Sequence, residues 1–496
     1  MTRLLRFARP IFIVVVCVQC LAAIPSHAEQ PTPAPIEIGN RLELFVDRHL
    51  IERLENSELR LHAPRPAESV LTFDKPWEGR FCGYTTIIQD KGVFRMYYRG
   101  LPTPGSDGTD TEVTCYAESN DGIHWRKPEL GIFEIDGSRN NNVVLARETP
   151  ASHNFSPFLD TNPDALADQR YKALGGTQKS GLIAFCSPDG VHWKRLQPEP
   201  VFRKGIFDSQ NVAFYSPAEE QYVCYFRTWT DGLYRGFRSV SRTTSKDFVN
   251  WTDPIPMTFG DSPLEHLYTN QTSPYFRAPH IYLGVAARFM PGRRVLTKEE
   301  ADQIGVDAGY YNDCSDTVLL TTRGGNAYQR TFMESFVRPG LGLENWVSRT
   351  NYPALGIISN SPTELSIYLQ KNYGQPTSHL QRYTLRTDGF ASLHAGYEPG
   401  EMLTKLLTLP EGDCQLVLNY STSAAGSIRI ELQDANGNAL PGYAATDCVP
   451  LIGDRIDGPV RWGGVSEETP FPGQPVRMKI ELRDADLYSM QFRAAN

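Results

Sequence analysis

The chain has 496 residues, of which 40% are hydrophobic and 21% charged, and its formal net charge is −8. That length exceeds one ordinary core, so two domains are expected. The acidic balance and the absence of a basic tail remove the electrostatic drive toward nucleic acid or an anionic membrane surface, and neither is expected as a partner.

Residues 1–28 carry Arg3, Arg6 and Arg9, an apolar run over 11–24, and then Ser26-His27-Ala28. This reads as a secretory signal cut after Ala28; the apolar run is too short to span a bilayer, so no membrane insertion is expected after cleavage. Loss of three arginines takes the charge from −8 to −11. The expected location is periplasmic or extracellular. Nine cysteines include Cys17 and Cys20 in the signal, leaving an odd seven with no CxxC or Cys/His spacing suited to zinc. No metal or cofactor is expected, and Cys414 with Cys448 is the candidate disulfide. Nothing in the sequence sets an oligomeric state.

Residues 29–42, with Pro31, Pro33 and Pro35, read as a flexible leader, and 42–51 as a first strand. Short β-branched and aromatic runs then recur in sets of three: 84–89, 94–99 and 112–118; 156–160, 171–175 and 181–187; 211–216, 221–228 and 237–244; 269–277, 281–289 and 316–322; 354–360, 364–371 and 380–386. The first three sets close on nearly the same phrase, Ser119-Asn120-Asp121-Gly122-Ile123-His124-Trp125, Ser187-Pro188-Asp189-Gly190-Val191-His192-Trp193 and Ser245-Lys246-Asp247-Phe248-Val249-Asn250-Trp251. Their tryptophans lie 68 and 58 residues apart, a period that holds several strands and marks propeller blades. The fourth set ends in a decayed version over 323–328, and the fifth in Thr387-Asp388-Gly389-Phe390. Asp-Gly suits a tight turn, and the tryptophan can fold back over the blade edge, so the phrase predicts scaffold. Residues 297–304 form the best helical segment, Thr297 capping with Glu300 three positions on, inside a long insertion in blade four that could act as a lid. After residue 397 the strands lengthen. The expected architecture is all-β: a five-bladed β-propeller over 43–396 and an antiparallel β-sandwich over 397–496.

Five blades, the S-x-D-G-x-x-W endings, the second-strand run Phe94-Arg95-Met96-Tyr97-Tyr98 and a following sandwich resemble the five-bladed glycoside hydrolases of families 32 and 43. That resemblance implies an enzyme cleaving a poly- or oligosaccharide with three acids from the openings of successive blades. The family 32 phrases W-x-N-D-P-x-G, R-D-P and E-C are absent, so no catalytic residue transfers by motif. A second resemblance, to sialidases, rests on their S-x-D-x-G-x-x-W box; each box here is one residue shorter, and five blades are expected rather than six.

Glycoside hydrolysis uses two carboxyl groups facing each other across the bond. Acids placed just ahead of a blade's first strand are Glu78, Asp208 and Glu265, with Asp47 a fourth. Glu265 is assigned as acid, Asp208 as base or nucleophile and Glu78 as a ligand for sugar hydroxyls. Arg80, Arg227, Arg288 and Arg349 recur near the same edges and suit a uronic or sulfated sugar, since guanidinium forks match carboxylate and sulfate. Asn211 and His266 add polar contacts, and Trp346, like Trp77 and Trp229, offers a stacking face. Two other readings stay open: a non-catalytic carbohydrate-binding propeller, and a lyase or phosphorylase on the same scaffold, the lyase using Tyr268, His266 and Arg288.

Overall fold

The computed structural model describes residues 34–105, 108–410, 412, 414–463 and 474–494. The secretory signal read over 1–28 lies outside them. Five antiparallel sheets form the blades of a β-propeller. Blade one runs Gly83–Asp90, Val93–Gly100, Val113–Ser119 and Val143–Leu145; blade two Ser156–Leu159, Tyr171–Thr177, Gly181–Ser187 and Lys194–Arg195; blade three Val212–Ser216, Gln221–Trp229, Arg238–Ser245 and Ile255–Pro256. In blade four the inner strand is split into Leu267–Thr269 and Thr272–Tyr275, both paired with Ala278–Met290, which pairs in turn with Cys314–Thr322. Blade five likewise splits its inner strand into Tyr352–Pro353 and Ile358–Ser361, followed by Glu364–Lys371 and His379–Arg386. Its outer strand comes from far upstream: Arg65–Thr72 pairs with His379–Arg386 and closes the ring.

The repeated phrase is scaffold, and it does more than turn the chain. Asp189 Oδ1 accepts from the backbone of Val191 and His192 at 2.8 and 2.9 Å, while Trp193 Nε1 donates to Gly190 O at 3.1 Å. Asp121 and Trp125 repeat the arrangement. Each turn also docks on the preceding blade: Tyr97 of blade one donates to Gly190 O at 2.8 Å, and Tyr368 of blade five to Gly122 O at 2.5 Å. Glycine is needed at 190 on two counts, since φ is +79° and a Cβ would sit 2.6 Å from the Tyr97 hydroxyl.

The expected capping box is present: helix Lys298–Ile304 starts at Thr297, whose side chain accepts from Glu300 N while Glu300 reaches back. It is the α-helix of the described residues.

The strands of the region expected as a sandwich over 397–496 belong to one ten-stranded hydrogen-bonded sheet, which also takes in Ile36–Glu37, Glu43–Leu44, Ile51–Glu55 and Glu58–Leu61. Two long strands, Cys414–Gln433 and Pro475–Ala494, pair along their length with a register break between Thr422 and Ser427. One apolar core collects Leu416 and Leu418 from one side of that break and Ile428, Ile430 and Leu432 from the other. Ile36–Glu37, in the stretch read as leader, pairs in parallel with Leu407–Thr408. Cys414 and Cys448 are separate buried thiols, so that candidate disulfide is not formed; both lie in the apolar core, where a thiol behaves as a small hydrophobe.

Candidate functional site

The inner ends of all five blades meet around a cavity of about 180 Å³. Three of its wall residues are non-glycine residues at positive φ: Tyr84 at 49°, Gln271 at 34° and Arg349 at 59°. Side chains rarely adopt that region, and such residues gather where function over-determines the backbone. Gln271 occupies the break in the blade-four inner strand, and Tyr84 lies in the register shift that opens blade one. The cavity floor is a ring of amides. Gln271 Nε2 donates to the Gln210 carbonyl and to Pro353 O at 2.9 Å, and Gln210 Nε2 donates to Thr86 Oγ1 at 3.0 Å, joining blades one, three, four and five.

Asp208 enters the cavity from the loop between blades two and three. Asn154, fully buried, fixes that loop by donating to Phe207 O and Ser209 O, and Tyr84 Oη donates to Asp208 O at 3.0 Å. The Asp208 carboxylate pairs with Arg227, whose Nε and Nη1 are buried without a partner. Arg227 lies over the Tyr268 ring at 4.6 Å, Arg238 at 5.3 Å and Arg349 at 5.6 Å. Burial alone would raise the Tyr268 phenol, but Arg349, Arg227 and Arg238 outweigh it and bring its pKa down to about 8. Tyr84 goes the other way, pushed up by burial and by the neighbouring Tyr268 despite Arg99.

Arg349 also sits against Tyr310 and Tyr373, at 4.9 and 5.9 Å, and donates to Tyr310 Oη at 3.3 Å. Among the described residues no carboxylate pairs with it. Tyr310 belongs to the blade-four insertion, which thus forms part of the cavity's surroundings. On the facing side Glu112, with 0% exposure, holds His153 Nδ1 at 2.9 Å, and Arg99 lies 3.8 Å from the same carboxylate and 4.8 Å over Tyr84. Among the described residues, four guanidinium groups, Arg99, Arg227, Arg238 and Arg349, and two carboxylates, Asp208 and Glu112, surround the site. The described part of the site is arginine-rich, aromatic-walled and amide-floored. Among the described residues no group of three or more His, Cys, Asp or Glu side chains could hold a metal ion.

Of the acids expected from sequence, the structure brings Asp208 alone to the cavity. Glu78 is 0% exposed, bonded to Tyr98 Oη at 2.6 Å and Lys127 Nζ at 2.7 Å; it neutralises a half-buried lysine and is shut away from the cavity. Glu265 is clamped by Arg288 at 2.7 Å and Arg330 at 2.8 Å, and Arg288 is further tied to Asp316, so both members are consumed within blade four. Asp47 pairs with Arg323 where propeller and C-terminal sheet meet. Of the arginines, Arg349 lines the cavity and Arg227 backs it, while Arg80 points to Gly305 O on the outside. Asn211 braces the Asp208 loop through Ser209 O at 3.0 Å. His266 accepts from Arg238 N at 3.1 Å and packs at a tilt against Phe237; burial and then Arg238 keep its pKa below the usual histidine value, so it serves as a neutral acceptor. Trp346 donates to Gly340 O at 3.0 Å and packs beside the insertion helix.

Sequence reasoning missed Arg99, Glu112 and His153. Arg99 closes the aromatic run Phe94-Arg95-Met96-Tyr97-Tyr98, and a buried arginine at the inner end of such a run was the available signal. His153 and Glu112 lie 41 residues apart, one closing a short 3-10 turn and the other just ahead of a blade-one strand, and only the fold joins them.

No protein-family model matches the chain. Two uncharacterized proteins of Mycobacterium tuberculosis match short segments, one 31% identical over 115 residues and the other 40% identical over 60. These segments span 23% and 12% of this chain, and only 33% and 20% of those relatives' own lengths. Solved structures similar to it include an N-acetylgalactosamine deacetylase from F. plautii in complex with blood group B trisaccharide, 11% identical, TM-score 0.44, covering 67% of this chain and 96% of that one. A family 43 arabinoxylan arabinofuranohydrolase from Bacillus subtilis is 9% identical, TM-score 0.40, covering 84% and 96%. The chain is a five-bladed propeller whose structural neighbours include glycoside hydrolases at low identity.

Proposed function

We propose that the protein is an exported carbohydrate-active enzyme that holds one anionic sugar residue, uronic or sulfated, in the central cavity and cleaves the glycosidic bond it makes. The observation that carries this reading is Arg349, a cation boxed by Tyr268, Tyr310 and Tyr373 on the cavity wall and, among the described residues, without a carboxylate partner. A half-buried charge enclosed by aromatic rings favours a counter-charge, and a planar guanidinium matches a carboxylate or sulfate in two-point fashion. Tyrosine faces and the Gln210 and Gln271 amides suit the apolar faces and hydroxyls of a sugar ring. The cavity volume supports an occupant the size of a single residue rather than a long chain.

The test is a panel of neutral, uronic and sulfated oligosaccharides, scored for binding by calorimetry and for products by mass spectrometry. Anionic members are expected to bind and be cleaved, and Arg349→Ala to weaken their binding by about 10- to 100-fold, the worth of a charge-assisted pair. Equal binding of neutral sugars, unaffected by Arg349→Ala, would overturn the reading.

A further inference from the structure

The hydrolytic assignment needs two carboxyl groups across the bond, and among the described residues lining the cavity Asp208 is the one carboxylate. Asp208 is moreover committed to Arg227. What the cavity does assemble is a phenol among arginines on one wall and a carboxylate-held imidazole on another. That is the equipment for removing a proton next to a carboxylate, not for delivering water to an anomeric carbon.

We infer that the cavity cleaves its glycan by elimination: Tyr268 takes the proton α to the carboxylate of a 4-linked uronic acid residue, Arg349 holds that carboxylate, and His153, oriented by Glu112, protonates the departing oxygen. The inference rests on the anionic-sugar reading above and narrows its substrate class from uronic or sulfated sugars to 4-linked uronides.

The step balances without any co-reactant. The C5–H proton goes to the Tyr268 phenolate oxygen. The C5–H electron pair becomes the C4=C5 double bond, the C4–O bond breaks, and its pair stays on the leaving oxygen, which accepts a proton from His153 Nε2. The products are a 4,5-unsaturated uronide and a chain with a free hydroxyl; water is not consumed. Tyr268 then loses its proton to solvent and His153 regains one. Charge develops on the uronate carboxylate as the C5 proton leaves, which is where a fixed guanidinium acts most strongly. Glu112 at His153 Nδ1 leaves Nε2 as the nitrogen that exchanges its proton.

Groups facing Tyr268 come from every neighbouring blade: Arg227 and Arg238 from blade three, Tyr84 from blade one, Arg349 and Tyr352 from blade five, with Asp208 behind Arg227. The three arginines favour the phenolate and the two phenols oppose it. A proton-accepting Tyr268 therefore predicts that kcat/KM climbs with pH through a limb near pH 8.

The experiment uses the full chain with 4-linked oligouronates of galacturonate, glucuronate and mannuronate, incubated in isotopically labelled water. Expected products absorb in the ultraviolet as a conjugated enoate and carry no oxygen from the labelled water. Tyr268→Phe keeps the ring against Tyr352 and Phe289 and should lower turnover by about 100- to 10,000-fold while uronate affinity changes little. The wild-type pH profile provides a readout independent of that variant's folding. Saturated, oxygen-labelled products would overturn elimination while leaving the anionic-sugar reading intact. Failure of every anionic oligosaccharide to bind would overturn that reading itself, and full activity in a folded Tyr268→Phe would remove Tyr268 from the chemistry.

Discussion

Asp121, Asp189 and Asp247 perform one task at three turns, and the cost of losing any of them follows from its bonds. Burial opposes ionisation of Asp189, yet the backbone N–H and imidazole of His192, the Val191 N–H and the Ser187 hydroxyl outweigh it and hold the carboxyl at about 2. Asp189→Ala should therefore destabilise the protein by roughly 1 kcal/mol, at the low end for a charge-assisted bond because the side chain is 47% exposed and screened. Asp189→Asn should retain most of that stability, and urea-unfolding midpoints of the two variants check both outcomes. This turn chemistry was legible in the sequence because every partner lies within three residues. The candidate acids were not legible in the same way. Glu78 and Asp208 occupy similar places ahead of similar strands, and what separates them is Lys127, 49 residues from Glu78, which buries and neutralises one carboxylate while the other faces the cavity. Position in a repeat finds acids near the channel; it does not find the partner that takes them out of use.

At the scale of elements, the phrases that decayed in blades four and five mark where the C-terminal sheet grips the propeller. In place of a fourth S-x-D-G phrase stands Arg323, paired with Glu43 at 2.8 Å and Asp47 at 3.0 Å, and Glu43 also meets His280 at 3.0 Å. In the fifth phrase Asp388 accepts from Tyr275 Oη at 2.7 Å within the propeller and from Ser489 Oγ at 2.8 Å in the sheet. The sequence displayed the decay but not its cause, because the docking strands lie at the far ends of the chain. Burial pushes the Glu43 carboxyl up, and His280 and Arg323 together overcome this and hold it at about 2. A folded-state pKa below the unfolded value of 4.5 means that the contribution is present above about pH 4.5 and is lost as pH falls toward 2. The stability gap between wild type and Glu43→Gln is thus expected to be constant at neutral pH and to close across that window, which denaturant titrations at stepped pH will follow. Arg323→Ala leaves the buried Asp47 carboxylate without its ion pair and Glu43 with only His280 and Arg41, and should cost about 3–5 kcal/mol.

For the whole molecule, ring closure and sheet assembly are carried by one stretch of chain. Residues 43–61 pair with the C-terminal sheet, and the chain then continues directly into Arg65–Thr72, the outer strand of blade five. Gln381 bonds Ala67 O at 2.8 Å across 314 residues, a contact that no local pattern announces, whereas blade number was readable from strand runs and turns lying side by side in sequence. The expected boundary near residue 397 looked clean because the strand runs lengthen there. Hydrogen bonding does not respect it: Ile51–Glu55 pairs with Gly400–Thr404, and Glu58–Leu61 with Ala391–Ala395. A chain ending at 396 would leave Ile51–Glu55 as an unpaired edge and strip Glu43–Leu44 of its partners at Ser489 and Met490. Separate expression of residues 34–396 and 397–496 should accordingly yield two poorly folded pieces, while the intact chain melts in one transition. Amide hydrogen exchange makes the comparison local. Protection at 51–61 is expected in the full chain and lost in the 34–396 fragment, and because Arg65–Thr72 follows within four residues, blade five should lose protection with it rather than blades one to three. Protection confined to its full-chain pattern in both fragments would mean that the propeller closes without help from the sheet.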